Sequence, residues 1–188
     1  MNGQSLPARM WDVVTNQTDM LLTGLWQHIY ISMISILIAL VIAIPLGIAL
    51  TRTEKIAEYV VGFAGMFQTI PSIALFGFLI PFVGIGVKPT IIALVLYALA
   101  PIMRNVYTGI KEVNPAAVDA GRGMGMTGWQ ILWMVELPLS FPVIMAGIRT
   151  ATVWTIGITT IAAFVGAGGL GQIIFRGVNL MRTELVLV

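Results

Sequence analysis

Between Ile29 and Leu50 the chain runs for 22 residues without a charged side chain. No other feature limits the possible folds as strongly. At about 1.5 Å per residue such a helix is roughly 33 Å long, enough to cross a hydrocarbon core of about 30 Å. Lipid offers the backbone no hydrogen-bond partner, so a spanning segment must satisfy its own N–H and C=O groups as a helix does. Three more apolar stretches follow: Tyr59–Val87 holds 29 uncharged residues, Pro89–Ile110 carries only Arg104, and Phe141–Phe164 carries only Arg149. Charged residues make up 10% of the chain, against about 25% in a soluble domain. The fold class read from this is all-α, a polytopic membrane helix bundle.

Four complete spans are expected, near residues 26–50, 58–83, 89–110 and 141–165. Trp26, His28 and Tyr30 stand where interfacial anchors stand. His28 is the single histidine and is read as an anchor, since metal-ligating histidines come in clusters. Pro45 and Gly47 are expected to kink the end of the first span. The second run is too long for one straight helix, and Gln68-Thr69-Ile70-Pro71-Ser72 interrupts it. Two readings stay open: irregular backbone facing a wet transport path, which membrane depth tolerates, or an ordinary proline kink. On the first reading Gln68, Thr69, Pro71 and Ser72 line the path, with Thr155 and Thr159 on the fourth span. Arg104, Asn105 and Tyr107 belong at the headgroup level. Arg149 must snorkel or pair, with Asp119 or Glu136 as candidate partners.

Residues 1–25 form a mixed N-terminal segment. A short interfacial helix with Met10, Trp11 and Val14 on one face and a loosely ordered terminus are both open. Gly84–Pro89 reads as a turn. Gly166-Ala167-Gly168-Gly169-Leu170-Gly171 fits a dinucleotide fingerprint by letters but follows a membrane span and lacks the acidic residue about 20 positions on, so it too reads as a turn. Ile173–Glu184 reads as an amphipathic stretch with Arg176 and Arg182 outside the bilayer, and Leu185–Val188 starts another apolar run.

Several chemistries are missing. There is no cysteine, no phosphate-binding G-x-x-x-x-G-K-[ST] loop, no histidine–carboxylate cluster and no basic cluster for nucleic acid. All eight acidic residues lie in terminal segments, loops or span ends, which argues against an enzyme and against a proton-coupled carrier. No catalytic residue and no metal site is assigned.

The segment from Asn114 to Pro142 is the longest that is neither an apolar run nor a terminus. Asn114 is a good N-cap and Pro115 suits the first helical position. Thr127-x-x-Gln130 is a capping box. Gly123 and Gly125 permit a tight turn with positive φ between two short helices, and Leu137-Pro138 is expected to stop the second. A rigid helix–turn–helix held between spans suits contact with another protein, and Met124 and Met126 are adaptable apolar knobs for a groove.

Within this segment Asp119-Ala120-Gly121, then Gly125, then Val135-Glu136-Leu137-Pro138 keep the spacing of a pattern found in inner-membrane permease subunits of ABC importers. That pattern is Glu-Ala-Ala, three residues, Gly, nine residues, Ile-x-Leu-Pro. Asp for Glu, Gly for the second Ala and Val for Ile are the departures. Gln68–Ser72, Leu96–Asn105 and Gly166–Gly171 further resemble the osmoprotectant (glycine betaine/carnitine/choline) permeases, and the resemblance covers roughly Trp26 to Val188. It implies a type I ABC importer permease fold of about five spans with the last one cut short after Val188, over residues 26–188. It implies a cytoplasmic coupling loop, 111–140, that meets the ATPase through Asp119, Ala120, Gly121, Gly125, Val135, Leu137 and Pro138. The implied partners are ATP-binding subunits, a second permease copy or paralogue, an extracellular solute-binding protein and membrane lipid. ATP and Mg then belong to the partner ATPase, and this chain carries no cofactor. The implied place is a bacterial inner (plasma) membrane with the N-terminus outside, which a six-to-four bias of Lys and Arg toward the loop side also favours. Amino acids, nitrate or sulfonate are the alternative solutes; a channel or structural membrane subunit is the rival class.

Overall fold

The computed structural model describes residues 5–188; Met1–Gln4, the start of the 1–25 segment, lie outside the described residues. Every regular element among the described residues is helical. In chain order these are α1 (Leu6–Asn16), α2 (Thr18–Leu50), α3 (Glu54–Thr69), α4 (Ser72–Val83), α5 (Val87–Lys111), α6 (Pro115–Gly123) and α7 (Gly128–Ile131). A π-helical turn (Leu132–Glu136), α8 (Leu137–Ile161), a 3₁₀ turn (Ala162–Val165), α9 (Leu170–Asn179) and α10 (Thr183–Leu187) complete the chain.

Among the described residues three runs are long and apolar enough to cross a membrane: Thr18–Leu50, Val87–Lys111 and Gly128–Val165. The pair Lys55–Thr69 and Ser72–Val83 makes a fourth if counted as one span, bent by 99° at its break. A proline kink leaves one helix with a bend; here two helices meet at non-helical backbone, with Pro71 at φ −56° and ψ 133°. A break, as a broken span or a re-entrant loop, therefore replaces the simple kink.

The chain packs as two compact units. One comprises residues 36–69 and 95–154. Its core is the buried face of α5, where Ile102, Met103 and Val106 lose nearly all solvent exposure. Small residues let neighbouring helices approach. A Cβ on Gly47 would meet Val106 Cβ at 2.8 Å, and one on Gly147 would meet Asn105 Cβ at 2.5 Å. Gly47 thus serves close packing at the end of α2. Pro101 leaves the Tyr97 carbonyl without its usual donor four residues on. The Gln68 amide Nε2 donates to that carbonyl at 3.2 Å, tying the end of α3 to α5.

The other unit comprises residues 1–35, 70–94 and 155–188. The first segment is helical from Leu6, but its inward residue is Val13, packed with Ile173 and Leu185; Trp11 and Val14 are exposed. His28 corrects the anchor reading. It is buried, and its Nε2–H donates to the Ile156 carbonyl at 3.0 Å, whereas Trp26 and Tyr30 are exposed. Two residues of helix turn a side chain by about 200°, so His28 faces inward when its neighbours face out. Three glycines with positive φ, Gly166, Gly168 and Gly169, build the turn into α9. Gly84 and Gly86 build the turn before α5, which starts at Val87 rather than Pro89. Glu184 accepts from Arg182 Nε at 2.7 Å and lies 3.5 Å from Arg9. The Arg182 hydrogen bond, above all, holds its carboxyl below the ordinary value.

Candidate functional site

The polar segment after α5 folds as a hairpin whose ends are closed by its own residues. The Asn114 side chain accepts from the Ala116 N–H at 2.9 Å and starts α6. At the other end Gly125 takes φ +80°. Its N–H reaches the Arg122 carbonyl at 2.9 Å, and the Met126 N–H reaches the Gly121 carbonyl at 3.1 Å. Those two bonds are a Schellman motif, which satisfies carbonyls that a helix end otherwise leaves unpaired. Gly123 stays helical, so the expected pair of turn glycines reduces to Gly125. Thr127 then caps α7: its N–H donates to Gln130 Oε1 at 2.8 Å, and Gln130 N–H donates to Thr127 Oγ1 at 3.3 Å.

Leu137-Pro138 does not stop the helix. The chain widens into the π turn Leu132–Glu136, whose Leu137 N–H reaches back to the Leu132 carbonyl, and continues as α8. A π turn shifts the carbonyls that a proline ring would strike, so the helix passes through the proline.

The motif residues fall into two groups. Gly121, Val135 and Ile131 meet inside the hairpin: a Cβ on Gly121 would lie 3.2 Å from Met126 Sδ, 3.5 Å from Ile131 and 3.8 Å from Val135. Leu137 is half-buried beside them in sequence. Asp119, Ala120, Gly125 and Pro138 are exposed. Asp119 pairs with Arg122 at 3.3 Å with both side chains about two-thirds exposed, a contact worth at most about 1 kcal/mol. Met124, Trp129, Trp133 and Met134 add an exposed apolar surface, and Trp129 and Trp133 stack edge to face at 5.7 Å. The W-x-x-x-W spacing was the signal for that pair.

Glu136 holds a different partner from the one expected. Both oxygens face the Arg52 guanidinium, at 2.6 Å (Nη2–Oε2) and 3.4 Å (Nη1–Oε1). With Asp119 held by Arg122, neither proposed partner serves Arg149, which is exposed. The Glu136 side chain is 8% exposed and Arg52 is 52% exposed. Removing one partner strands a nearly buried charge, at a cost of about 1–3 kcal/mol given the open side of the arginine.

At the helix break Gln68 is half-buried with one amide hydrogen committed to Tyr97, and Thr69 is exposed with its hydroxyl donating to the Met66 carbonyl at 2.7 Å. Pro71 is exposed and Ser72, half-buried, opens α4. Thr155 and Thr159 are both buried. Thr159 donates to the Thr155 carbonyl at 2.7 Å and accepts from Ser32 at 3.0 Å, so it joins α2 to α8. Gln68, Thr69, Pro71 and Ser72 thus cluster through the chain itself, while the two threonines sit inside helix packing.

Residues 35–187 match a protein family described as binding-protein-dependent transport system inner membrane component. The chain is 50% identical over 161 residues to the glycine betaine/carnitine/choline transport system permease protein OpuCB of Bacillus subtilis, covering 86% of this chain and 74% of that protein. It is 48% identical to the carnitine transport permease protein OpuCB of Listeria monocytogenes, covering 89% and 77%. It is 45% identical to the osmoprotectant import permease protein OsmW of Salmonella typhimurium, covering 82% and 74%. Among solved structures, the inward-facing MetNI methionine ABC transporter superposes with a TM-score of 0.79 at 28% identity, over 92% of this chain and 89% of that one.

Proposed function

Because the chain belongs to the family of binding-protein-dependent transport system inner membrane components, we propose that it is the permease subunit of an ATP-driven importer for quaternary-amine compatible solutes such as glycine betaine, carnitine and choline. The observation that carries the transport reading is the hairpin 114–131, self-capped at both ends and exposing Met124 and Trp129 at its surface. A preordered hairpin can press on an ATPase without first paying for its own ordering. Hydrolysis then belongs to separate ATP-binding subunits, with a second permease subunit and an extracellular binding protein completing the importer.

The solute reading is supported by relatives at 48–50% identity whose names carry these solutes, and by one at 45% named for osmoprotectant import. It also has a physical counterpart. A quaternary ammonium is usually gripped by aromatic faces, a task for the binding protein. A permease needs weak, mostly neutral contacts, since a fixed acid in the path would trap the cation and a fixed base would repel it. Gln68, Thr69, Pro71 and Ser72 at the helix break are neutral groups suited to such contacts, and Thr155 and Thr159 on α8 are the further candidates. Proteoliposomes holding the chain, its ATP-binding subunit and its binding protein are expected to take up labelled glycine betaine, carnitine or choline only with ATP. Uptake of an amino acid, nitrate or a sulfonate with none of a quaternary amine would sink the solute assignment, and solute flux without ATP would favour a channel.

In the proposed orientation the N-terminus is outside and the hairpin is cytoplasmic. Lacking native cysteine, the chain allows single replacements at Thr15 and Thr127, both exposed. An impermeant thiol reagent on intact cells is expected to label the first and spare the second; the reverse pattern overturns the orientation.

A further inference from the structure

We propose that the Arg52–Glu136 ion pair is the linkage through which movement of the hairpin reaches helices α2 and α3, making Arg52 and Glu136 positioning residues for coupling. The inference rests on reading the hairpin as the ATPase-facing element.

Four observations support it. Arg52 lies in the turn Thr51–Thr53 between α2 and α3, and its partner stands 84 positions further along the chain. The contact is a fork, one nitrogen to each oxygen, at 2.6 and 3.4 Å. A fork fixes direction as well as distance, so it can transmit rotation where a single-point contact would swivel. Glu136 closes the π turn, and single π turns inside α-helices concentrate at functional positions. The residue before it, Val135, packs toward α6, within 3.8 Å of where a Cβ on Gly121 would lie. A continuous series of contacts therefore runs from α6 through Gly121, Val135 and Glu136 to Arg52.

The surroundings give this series room. A cleft of about 240 Å³ is lined by Thr51, Arg52, Val118, Asp119, Arg122 and Glu136. The hairpin can shift into that space while the fork holds. Other charges on the cleft do not replace the fork: Asp119 is held by Arg122, and Lys111, also on the cleft wall, has a single-point ammonium.

The test compares ATP hydrolysis and solute uptake in the same proteoliposomes, containing the full importer, for Arg52→Gln, Glu136→Gln, Arg52→Lys and the exchanged pair Arg52→Glu with Glu136→Arg. The two neutral variants are expected to assemble with the ATP-binding subunit and to hydrolyse ATP, while solute moved per ATP falls roughly tenfold. Arg52→Lys should be intermediate and the exchange should regain most of the ratio. An unchanged ratio in the neutral variants overturns the inference. So does a parallel loss of uptake and hydrolysis, or lost assembly that the exchange restores without changing the ratio, because either assigns the pair to stability alone. Failure of the unaltered chain to co-purify with the ATP-binding subunit instead defeats the hairpin reading, before any variant is made.

Discussion

Gly171→Ala is expected to prevent the turn of Gly166–Gly171 and helix α9 from docking, with loss of most folded protein. A Cβ at Gly171 would collide with the Thr160 carbonyl oxygen and approach the Ala163 Cβ at 3.1 Å. The first obstacle is backbone in the last turns of α8, immediately before the 3₁₀ turn Ala162–Val165, so no side-chain rotation relieves it. The alternative is for α9 to move away, and that parts Ile173 from Val13 and Leu185. Overpacking a core costs about 1–3 kcal/mol where side chains can adjust; here the cost should stand at or above the top of that range, a large share of a stability of about 5–15 kcal/mol. Gly157→Ala is the control, because nothing lies within 4 Å of a Cβ there. Yield of monodisperse protein in detergent and its melting temperature are the measurements. Gly171→Ala at the level of Gly157→Ala would mean that α9 docks less closely than described.

What could be read in advance follows from where the physics is local. The spans announced themselves because a charge within the bilayer is costly, and runs such as Ile29–Leu50 contain none. The hairpin caps at Asn114, Gly125 and Thr127 were legible because each cap bonds to backbone within five residues. Two further features were present in the spacing but need a helical projection to be seen: His28 turning inward between Trp26 and Tyr30, and Trp129 meeting Trp133. Non-local features stayed hidden. Pro101 signals that the Tyr97 carbonyl lacks the helical N–H four residues on, yet nothing in the order of residues says that Gln68 bonds to it. Pro138 signals a stop unless the preceding turn widens, and the same proline serves either outcome. Glu136 had Arg149 as a nearer charge in sequence, but only the packed chain brings Arg52 to it.

The second large effect is functional. Gly125→Val is expected to leave the spans folded but to abolish ATP-driven uptake and capture of the ATP-binding subunit. Nothing lies within 4 Å of a Cβ at Gly125, whose φ is +80°, so the effect is one of backbone rather than bulk. A β-branched residue resists that conformation by roughly 1–3 kcal/mol. That exceeds the worth of either neutral hydrogen bond it protects, at about 1 kcal/mol each. If the valine takes negative φ instead, the bonds from Gly125 to Arg122 and from Met126 to Gly121 both break. Met126 then leaves Gly121, and the surface carrying Met124 loses its shape. Gly125→Asn provides the discriminating comparison, because asparagine tolerates positive φ far better than valine. Substantial uptake in the asparagine variant with none in the valine variant fits a requirement for the turn. Equal loss in both would move the cause to side-chain bulk at the docking surface. Normal uptake in the valine variant would reduce the hairpin to a connector and leave the ATP-binding subunit to act elsewhere on the chain.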